Sequence, residues 1–473
     1  MIELEIKSNA RPFSHCFKKC VGSCHATTAL RFDYREQLRR CRRELGFEYV
    51  RFHGLLDDDM SVVSYRPMTD EIVYGFHNID CIFDFLIEIG MKPFIELSFM
   101  PQLLASGDKT IFHYNANATP PKDYGQWYDL IRRLTLHLID RYGFEEVKTW
   151  FFEVWNEPNL GDFWAGTQQQ YFDLYRYAAK AIKDCGPELK VGGPATARCE
   201  WVGDFVRFCR ENNVPVDFVS THHYPTDVAL GHEYTIEDMV RNATKDAMVR
   251  TASVAKAEAE GLPLYFTEWN SSPSSADSLH DDPYAASFII KTVGEMDGMV
   301  DMYSYWTFTD IFEEFCFQST PFHGDFGMLN INGIPKPSYR AFELLNGLGD
   351  ARLEVSGNCD DNNIEVLAAA GKDATKILLT NYNVPMRPIQ TERVRVKADC
   401  LGGRTSVRAR IIDDGSANPK ALWRQMGEPD HLSKQQVAQL CAASEMRQVE
   451  LPVRNGAVEL DIDPYAVWCI IAE

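Results

Sequence analysis

The sequence contains no apolar run approaching the roughly 20 residues that a membrane-spanning helix needs. It also lacks a basic, apolar leader. Residues 1–9, Met-Ile-Glu-Leu-Glu-Ile-Lys-Ser-Asn, carry acids where a secretory signal carries lysine or arginine. Both absences point to a soluble, cytoplasmic protein with no membrane partner. Positive charge is scarce: 48 Lys and Arg against 68 Asp and Glu give a formal net charge of −20. Nucleic-acid binding needs clustered cations to neutralise phosphates, so that class of partner is excluded, and the same sign weighs against an anionic substrate. Gly22, Gly192 with Gly193, and Gly402 with Gly403 form neither a G-x-G-x-x-G fingerprint nor a P-loop. No G-x-S-x-G elbow is present for a serine hydrolase. The 13 cysteines are odd in number and scattered, unlike a disulfide scaffold. Cys16, Cys20 and Cys24, flanked by His15 and His25, lack the paired C-x-x-C spacing of a zinc site. They read as reduced thiols on one face of a strand over 17–22. No metal and no cofactor is expected.

Two short segments carry the chemistry. They are Trp-Phe-Phe-Glu-Val-Trp-Asn-Glu-Pro-Asn-Leu at 150–160 and Leu-Tyr-Phe-Thr-Glu-Trp-Asn-Ser-Ser at 264–272. Each is an apolar, aromatic and β-branched run that stops at a carboxylate, as a buried strand does when it delivers an acid to the rim of a sheet. Burying a carboxylate is costly, so two at strand ends require a reason. A pair of catalytic acids cleaving a glycosidic bond supplies it, with Glu157 and Glu268 as the pair. The alternative is two carboxylates in satisfied ion pairs.

Strand and helix signals alternate along the first 350 residues. Helical periodicity covers 34–46, 78–90, 124–142, 168–184, 199–212, 236–260 and 283–298. Strand-like runs occupy 17–22, 48–53, 92–99, the segment before Glu157, 190–193, 216–222, 264–268 and 302–307. Eight strands separated by helices predict an α/β fold, a (β/α)8 TIM barrel over 10–349. Glu157 then closes the fourth strand and Glu268 the seventh, both at the C-terminal face where barrels of this kind hold their active sites. Beyond 350 the texture changes to short alternating segments at 364–368, 376–381, 458–462 and 466–472. Residues 350–473, with a strand from 1–9, are expected to form a β-sandwich carrying an inserted loop and short helix at 425–445.

Several longer segments then occur in order. They are Arg51-Phe-His-Gly-Leu-Leu-Asp-Asp, Val154-Trp-Asn-Glu-Pro-Asn-Leu, Lys190-Val-Gly-Gly-Pro-Ala and Tyr303-Ser-Tyr-Trp-Thr-Phe-Thr-Asp-Ile-Phe-Glu-Glu. Pro321-Phe-His-Gly-Asp-Phe-Gly, Gly333-Ile-Pro-Lys-Pro, Ile411-Ile-Asp-Asp-Gly and Asn418-Pro follow. Asn-Glu-Pro alone marks a large clan of barrel glycosidases. The whole set resembles the β-xylosidases of glycoside hydrolase family 39, which share their two catalytic motifs with α-L-iduronidases.

The resemblance implies that Glu157 is the general acid/base and Glu268 the nucleophile of a retaining mechanism. Their carboxyl groups are then expected roughly 5–5.5 Å apart, with the Glu157 pKa raised by burial and by its neighbour. It also implies that Asn156 holds the sugar 2-hydroxyl and that Tyr224 fixes the nucleophile. His53 and either His222 or His223 reach hydroxyls, Trp306 floors the ring, and Glu313 and Glu314 contact the remaining hydroxyls. Phe112 and His113 are placed as pocket walls. A buried core role remains the alternative for His53 and Trp306. The run from Asp57 to Asp59 reads as a solvated loop or first-turn acids rather than a metal site.

The expected activity is that of a retaining exo-β-xylosidase releasing xylose from the non-reducing ends of xylo-oligosaccharides, a small carbohydrate substrate requiring no cofactor. Other exo-glycosidases of the family, an endo-acting relative and a non-catalytic carbohydrate-binding barrel are the rival readings. A homo-oligomer is a further possibility, although assembly through a C-terminal tail is disfavoured.

Overall fold

A computed structural model of the chain describes residues 1–226, 243–317, 320–357 and 362–473. Eight parallel strands close a barrel in chain order. They are β1 (Cys20–His25), β2 (Tyr49–His53), β3 (Lys92–Leu97), β4 (Phe151–Val154), β5 (Lys190–Thr196), β6 (Phe218–His223), β7 (Leu264–Trp269) and β8 (Met302–Tyr305). The helices between them have defined ends. Asp123 accepts the Gly125 N–H at the start of Tyr124–Tyr142. A Thr167/Gln170 capping box opens Gln168–Cys185. Gly46, at φ 79°, stops Phe32–Leu45 in the left-handed conformation that glycine adopts without steric cost. Among the described residues no helix is long and apolar enough to cross a membrane.

Period-two alternation along the strands builds the barrel interior in layers. At the N-terminal end Cys20, Tyr49, Phe94, Phe151, Phe218, Tyr265 and Met302 form an apolar plug. Two residues further along the strands the interior becomes ionic, with Arg51, Glu96, Glu153 and Thr267 all buried. The last strand residues and the first loop residues, among them His53, Glu157, His222 and Glu268, form the rim. The register places Glu96 beside Glu153 and Phe94 beside Phe151, so both layers follow from one alignment.

The remaining long strands form one nine-stranded sheet. Ile2–Pro12 enters it between Ala351–Gly357, to which it is antiparallel, and Glu392–Ala398, to which it is parallel. Val396 and Leu460 near one edge share an apolar core with Val407 and Leu451 near the other, so the sheet folds over itself as a sandwich. On that connectivity we propose the division of the chain near residue 350. Helix Pro283–Met296 is buried on nearly every side because it lies between barrel and sheet, where Ser287 Oγ meets Thr380 Oγ1 at 2.6 Å.

Some boundaries differ from those expected. The first strand starts three residues later than 17, because Cys16–Lys18 forms a 3-10 turn entered through His15 at φ 49°. Cys16 therefore leaves the strand that holds Cys20 and Cys24, and every described cysteine is a free thiol. The helix expected over 236–260 is found at Ala247–Glu258, and residues 236–242 lie outside the described residues. The inserted segment holds two helices, Pro419–Gln425 and Lys434–Ala443.

Candidate active site

A cavity of about 630 Å³ opens at the C-terminal end of the barrel. His53, Asn156, Glu157, Tyr224, Glu268, Trp306 and Glu314 line its floor, and Phe112 lines its wall. Glu157 follows β4 after a sharp turn and stands at φ 46°, its N–H donating to the Ala195 carbonyl at 2.8 Å. Glu268 lies within β7, beyond a register shift between Phe266 and Trp269. One carboxylate oxygen of Glu157, one of Glu268 and a ring nitrogen of His222 lie within 4.8 Å of one another.

Arg51 organises the base of this cavity. Fully buried, it donates from Nε to Glu153 at 2.5 Å and from Nη1 to Glu268 Oε1 at 2.8 Å. Its Nη2 reaches Glu96 Oε2 at 2.8 Å and Asn156 Oδ1 at 3.0 Å. One cation thus compensates three acids that burial alone would drive neutral. Burial also works against ionised Glu96, yet Arg51 and His53 hold that carboxyl below its ordinary range. Tyr224 donates to the other oxygen of Glu268, Oε2, at 3.1 Å. Both Glu268 oxygens therefore accept from fixed donors.

The two histidines on the rim differ in charge. His53 Nδ1 pairs with Glu96 at 2.9 Å; burial lowers its pKa, but the Glu96 and Glu268 charges outweigh burial and raise it to about 9. His53 is thus a cation at neutral pH, with Nε2 3.6 Å from Glu268 and 3.7 Å from Glu314. His222 is driven the other way, to about 4, chiefly by burial. Arg51 Nη2 lies 3.3 Å from His222 Nε2, which makes Nε2 the acceptor and Nδ1 the protonated nitrogen. That Nδ1–H donates to Glu157 Oε1 at 2.9 Å. His223 points away, its Nε2 lying 3.2 Å from the Ala247 carbonyl on the helix packed outside the barrel.

Trp306 packs against His53, with ring centroids 4.8 Å apart, and lies directly over Gly22. A Cβ at Gly22 would sit 2.5 Å from Trp306 Cε3, so the indole can occupy this floor only above a glycine. Glu314 faces the cavity. Burial, then the negative charges of Glu268, Asp325 and Glu157, push its carboxyl up to about 8 against the pull of His53.

Three expected residues do not line the cavity: His222 is fully buried behind Glu157, and Glu313 and His113 lie to one side. Glu313 turns outward, 3.7 Å from His25 Nδ1 and 3.8 Å from His113 Nε2, and the half-exposed His113 follows it. Of the two adjacent acids only Glu314 faces the cavity. Of the Asp57–Asp59 run, Asp58 and Asp59 are first-turn acids at the surface, as expected, and only Asp57 departs from that reading. Asp57 is buried, accepts the Phe99 N–H at 2.8 Å and is raised by burial to about 8. Asp59 holds His25 at 3.2 Å, and both Asp58 and Asp59 stay at the surface, in the first turn of a short 3-10 helix.

Arg51, Glu96 and Glu153 were not among the site residues expected from the sequence. Their signal was present: single charges of opposite sign inside the apolar runs Tyr-Val-Arg-Phe, Phe-Ile-Glu-Leu and Phe-Phe-Glu-Val. A second buried ion cluster braces the rim. Lys336 Nζ lies 2.6 Å from both Asp281 and Asp310 and donates to the Asp325 carbonyl at 2.9 Å. It ties the loop after β7 to the loop after β8 that carries Phe326.

Glu268 thus accepts from a cation and a phenol, and Glu157 from a neutral histidine, an arrangement suited to acid–base chemistry between the two. Comparison with known proteins points the same way. A β-xylosidase of Caldicellulosiruptor saccharolyticus is 51% identical over 459 residues, 96% of this chain and 94% of the relative. A β-xylosidase of Geobacillus stearothermophilus is 38% identical over 474 residues, 97% of this chain and 92% of the relative. The crystal structure of a monomeric β-xylosidase from Caulobacter crescentus CB15 superposes with a TM-score of 0.88 at 34% identity, covering 100% of this chain and 99% of that one. The sequence profile of glycosyl hydrolases family 39 matches residues 1–462, and the chain belongs to that family.

Proposed function

We propose that this glycoside hydrolase is a retaining exo-β-xylosidase that removes xylose from the non-reducing ends of short xylo-oligosaccharides. The observation that carries the reading is the approach of the Glu157 and Glu268 carboxylates to within 4.8 Å where both line the cavity. Retaining enzymes place their acids about 5–5.5 Å apart, which leaves no room for a water to attack directly. Glu268, held by Arg51 and Tyr224, attacks the anomeric carbon as the nucleophile. Glu157 accepts from His222 on Oε1, so its transferable proton sits on Oε2 and passes to the departing oxygen. The deprotonated Glu157 then takes a proton from water, which opens the glycosyl ester and frees Glu268.

The choice of a neutral sugar is supported by charge. No lysine or arginine is among the described residues lining the cavity, whereas Glu157, Glu268 and Glu314 are. A uronide carboxylate would enter beside these acids with only His53 to oppose them, because Arg51 is enclosed beneath by its own partners. Asn156, beside Glu157, is placed for the sugar 2-hydroxyl, and Trp306 offers its face to the ring.

The test is a rate comparison on aryl β-D-xyloside, β-D-glucoside, β-D-galactoside, α-L-arabinoside and α-L-iduronide, with proton NMR of the first-formed anomer. Fast release of β-xylose is expected, and an inverted first product would refute the mechanism. Glu268→Gly should abolish turnover while staying folded, and azide should restore it with inverted product. Glu157→Ala should slow poor leaving groups far more than activated aryl ones.

A further inference from the structure

We propose that the outer half of the cavity is an aglycone site that favours leaving groups with alkyl or aryl surface, beside the sugar leaving groups of the reading above. The inference rests on the xylosidase reading above. The cavity runs from buried polar groups at its floor to Phe315 at its mouth, which is 69% exposed. Three loops supply a continuous apolar wall. Phe112 comes after β3, Leu160 and Phe163 after β4, and Phe315 after β8. Phe112 meets Phe163 edge to face at 5.5 Å and Phe315 at 5.7 Å, so the three rings form one surface beginning beside His53.

Two polar side chains on the same half have partners away from this wall. Asp162, 79% exposed at its side chain, lies 3.9 Å from Lys109 Nζ at the surface, and Ser274 Oγ accepts the Ala276 N–H at 3.2 Å. A leaving sugar can offer this wall only one apolar ring face, as the reacting sugar does to Trp306, with its hydroxyls kept toward water. An alkyl or aryl group would instead remove apolar surface from water on both sides. The departing group binds there in the transition state as well as in the ground state, so the preference should be read in kcat/KM.

Methyl, propyl and hexyl β-D-xylosides test this, because their leaving groups have nearly equal acidity and differ in apolar length. Full burial of a methylene is worth about 0.8 kcal/mol, a factor of about four, and half burial a factor of about two. We therefore expect kcat/KM to rise about two- to fourfold per methylene over the first few carbons. Phe315→Ala and Phe163→Ala should each flatten that slope, whatever their absolute rates. A flat series in the parent enzyme, with methyl xyloside still hydrolysed, overturns the aglycone site and leaves the xylosidase reading standing. An unchanged slope in both variants overturns the assignment to this wall. Failure to cleave any xyloside overturns both.

Discussion

Glu314 makes the cavity costly to fold, and Glu314→Gln measures that cost. The folded protein keeps the Glu314 proton until about pH 8, whereas the ordinary value is 4.5. Between those values folding takes up a proton, so rising pH opposes folding. The penalty is absent below about pH 4.5, reaches about 3 kcal/mol at pH 7 from 2.5 pH units at about 1.4 kcal/mol each, and levels at about 5 kcal/mol above pH 8. Glutamine keeps the size and the hydrogen-bonding edge but has no proton to lose. The variant should therefore be more stable than the parent, increasingly so with pH. With about 2 cal/mol/K of unfolding entropy per residue, a 473-residue chain converts 3 kcal/mol into a Tm rise of about 3 °C. Thermal unfolding at matched scan rates should show less than about 1 °C of gain at pH 5, about 3 °C at pH 7 and more at pH 8.5. An equal gain at all three pH values, or a loss at pH 7, would refute a buried carboxyl held neutral by its surroundings.

Two other substitutions probe how the site is held. Gly22→Ala places a methyl 2.5 Å from Trp306 Cε3 and 3.1 Å from the Tyr305 carbonyl, so the indole must tilt. On aryl xyloside, kcat/KM should fall by about ten- to a hundredfold with circular dichroism unchanged, and an unaltered rate would remove Trp306 from the floor. Lys336→Met leaves Asp281 and Asp310 buried without their cation, and urea titration should report a loss of about 3–5 kcal/mol. A neutral result would mean that the two aspartates are already protonated.

The sequence showed the order of the strands better than their ends. β2, β3 and β7 start within a residue of where their apolar runs begin, because β-branched and aromatic residues in a buried strand leave a continuous signal. β1 was placed too early because Phe17 and Cys16 look like strand residues and are instead held in a turn by His15 in the left-handed region. The carboxylates that follow β4 and lie in β7 were legible as a pair, since each interrupts an apolar run at the rim. Glu313 and Glu314 were not separable, because nothing in two adjacent identical residues says which way the loop turns. Of the two, only Glu314 faces the cavity.

The chain by itself determined the alternation of strands and helices, the site's position at their C-terminal ends, and the two acids. These are local properties, set by hydrophobic period and by the cost of burying charge. What only the tertiary structure decided are relations between strands. Arg51 on β2 neutralises Glu153 on β4 and Glu268 on β7, 102 and 217 residues away in the chain. His53 and His222, the same residue type on the same rim, take opposite protonation states. One faces Glu96 and the other faces Arg51. Charge state depends on what lies within a few ångströms, and in a closed barrel those neighbours come from strands that the sequence keeps far apart.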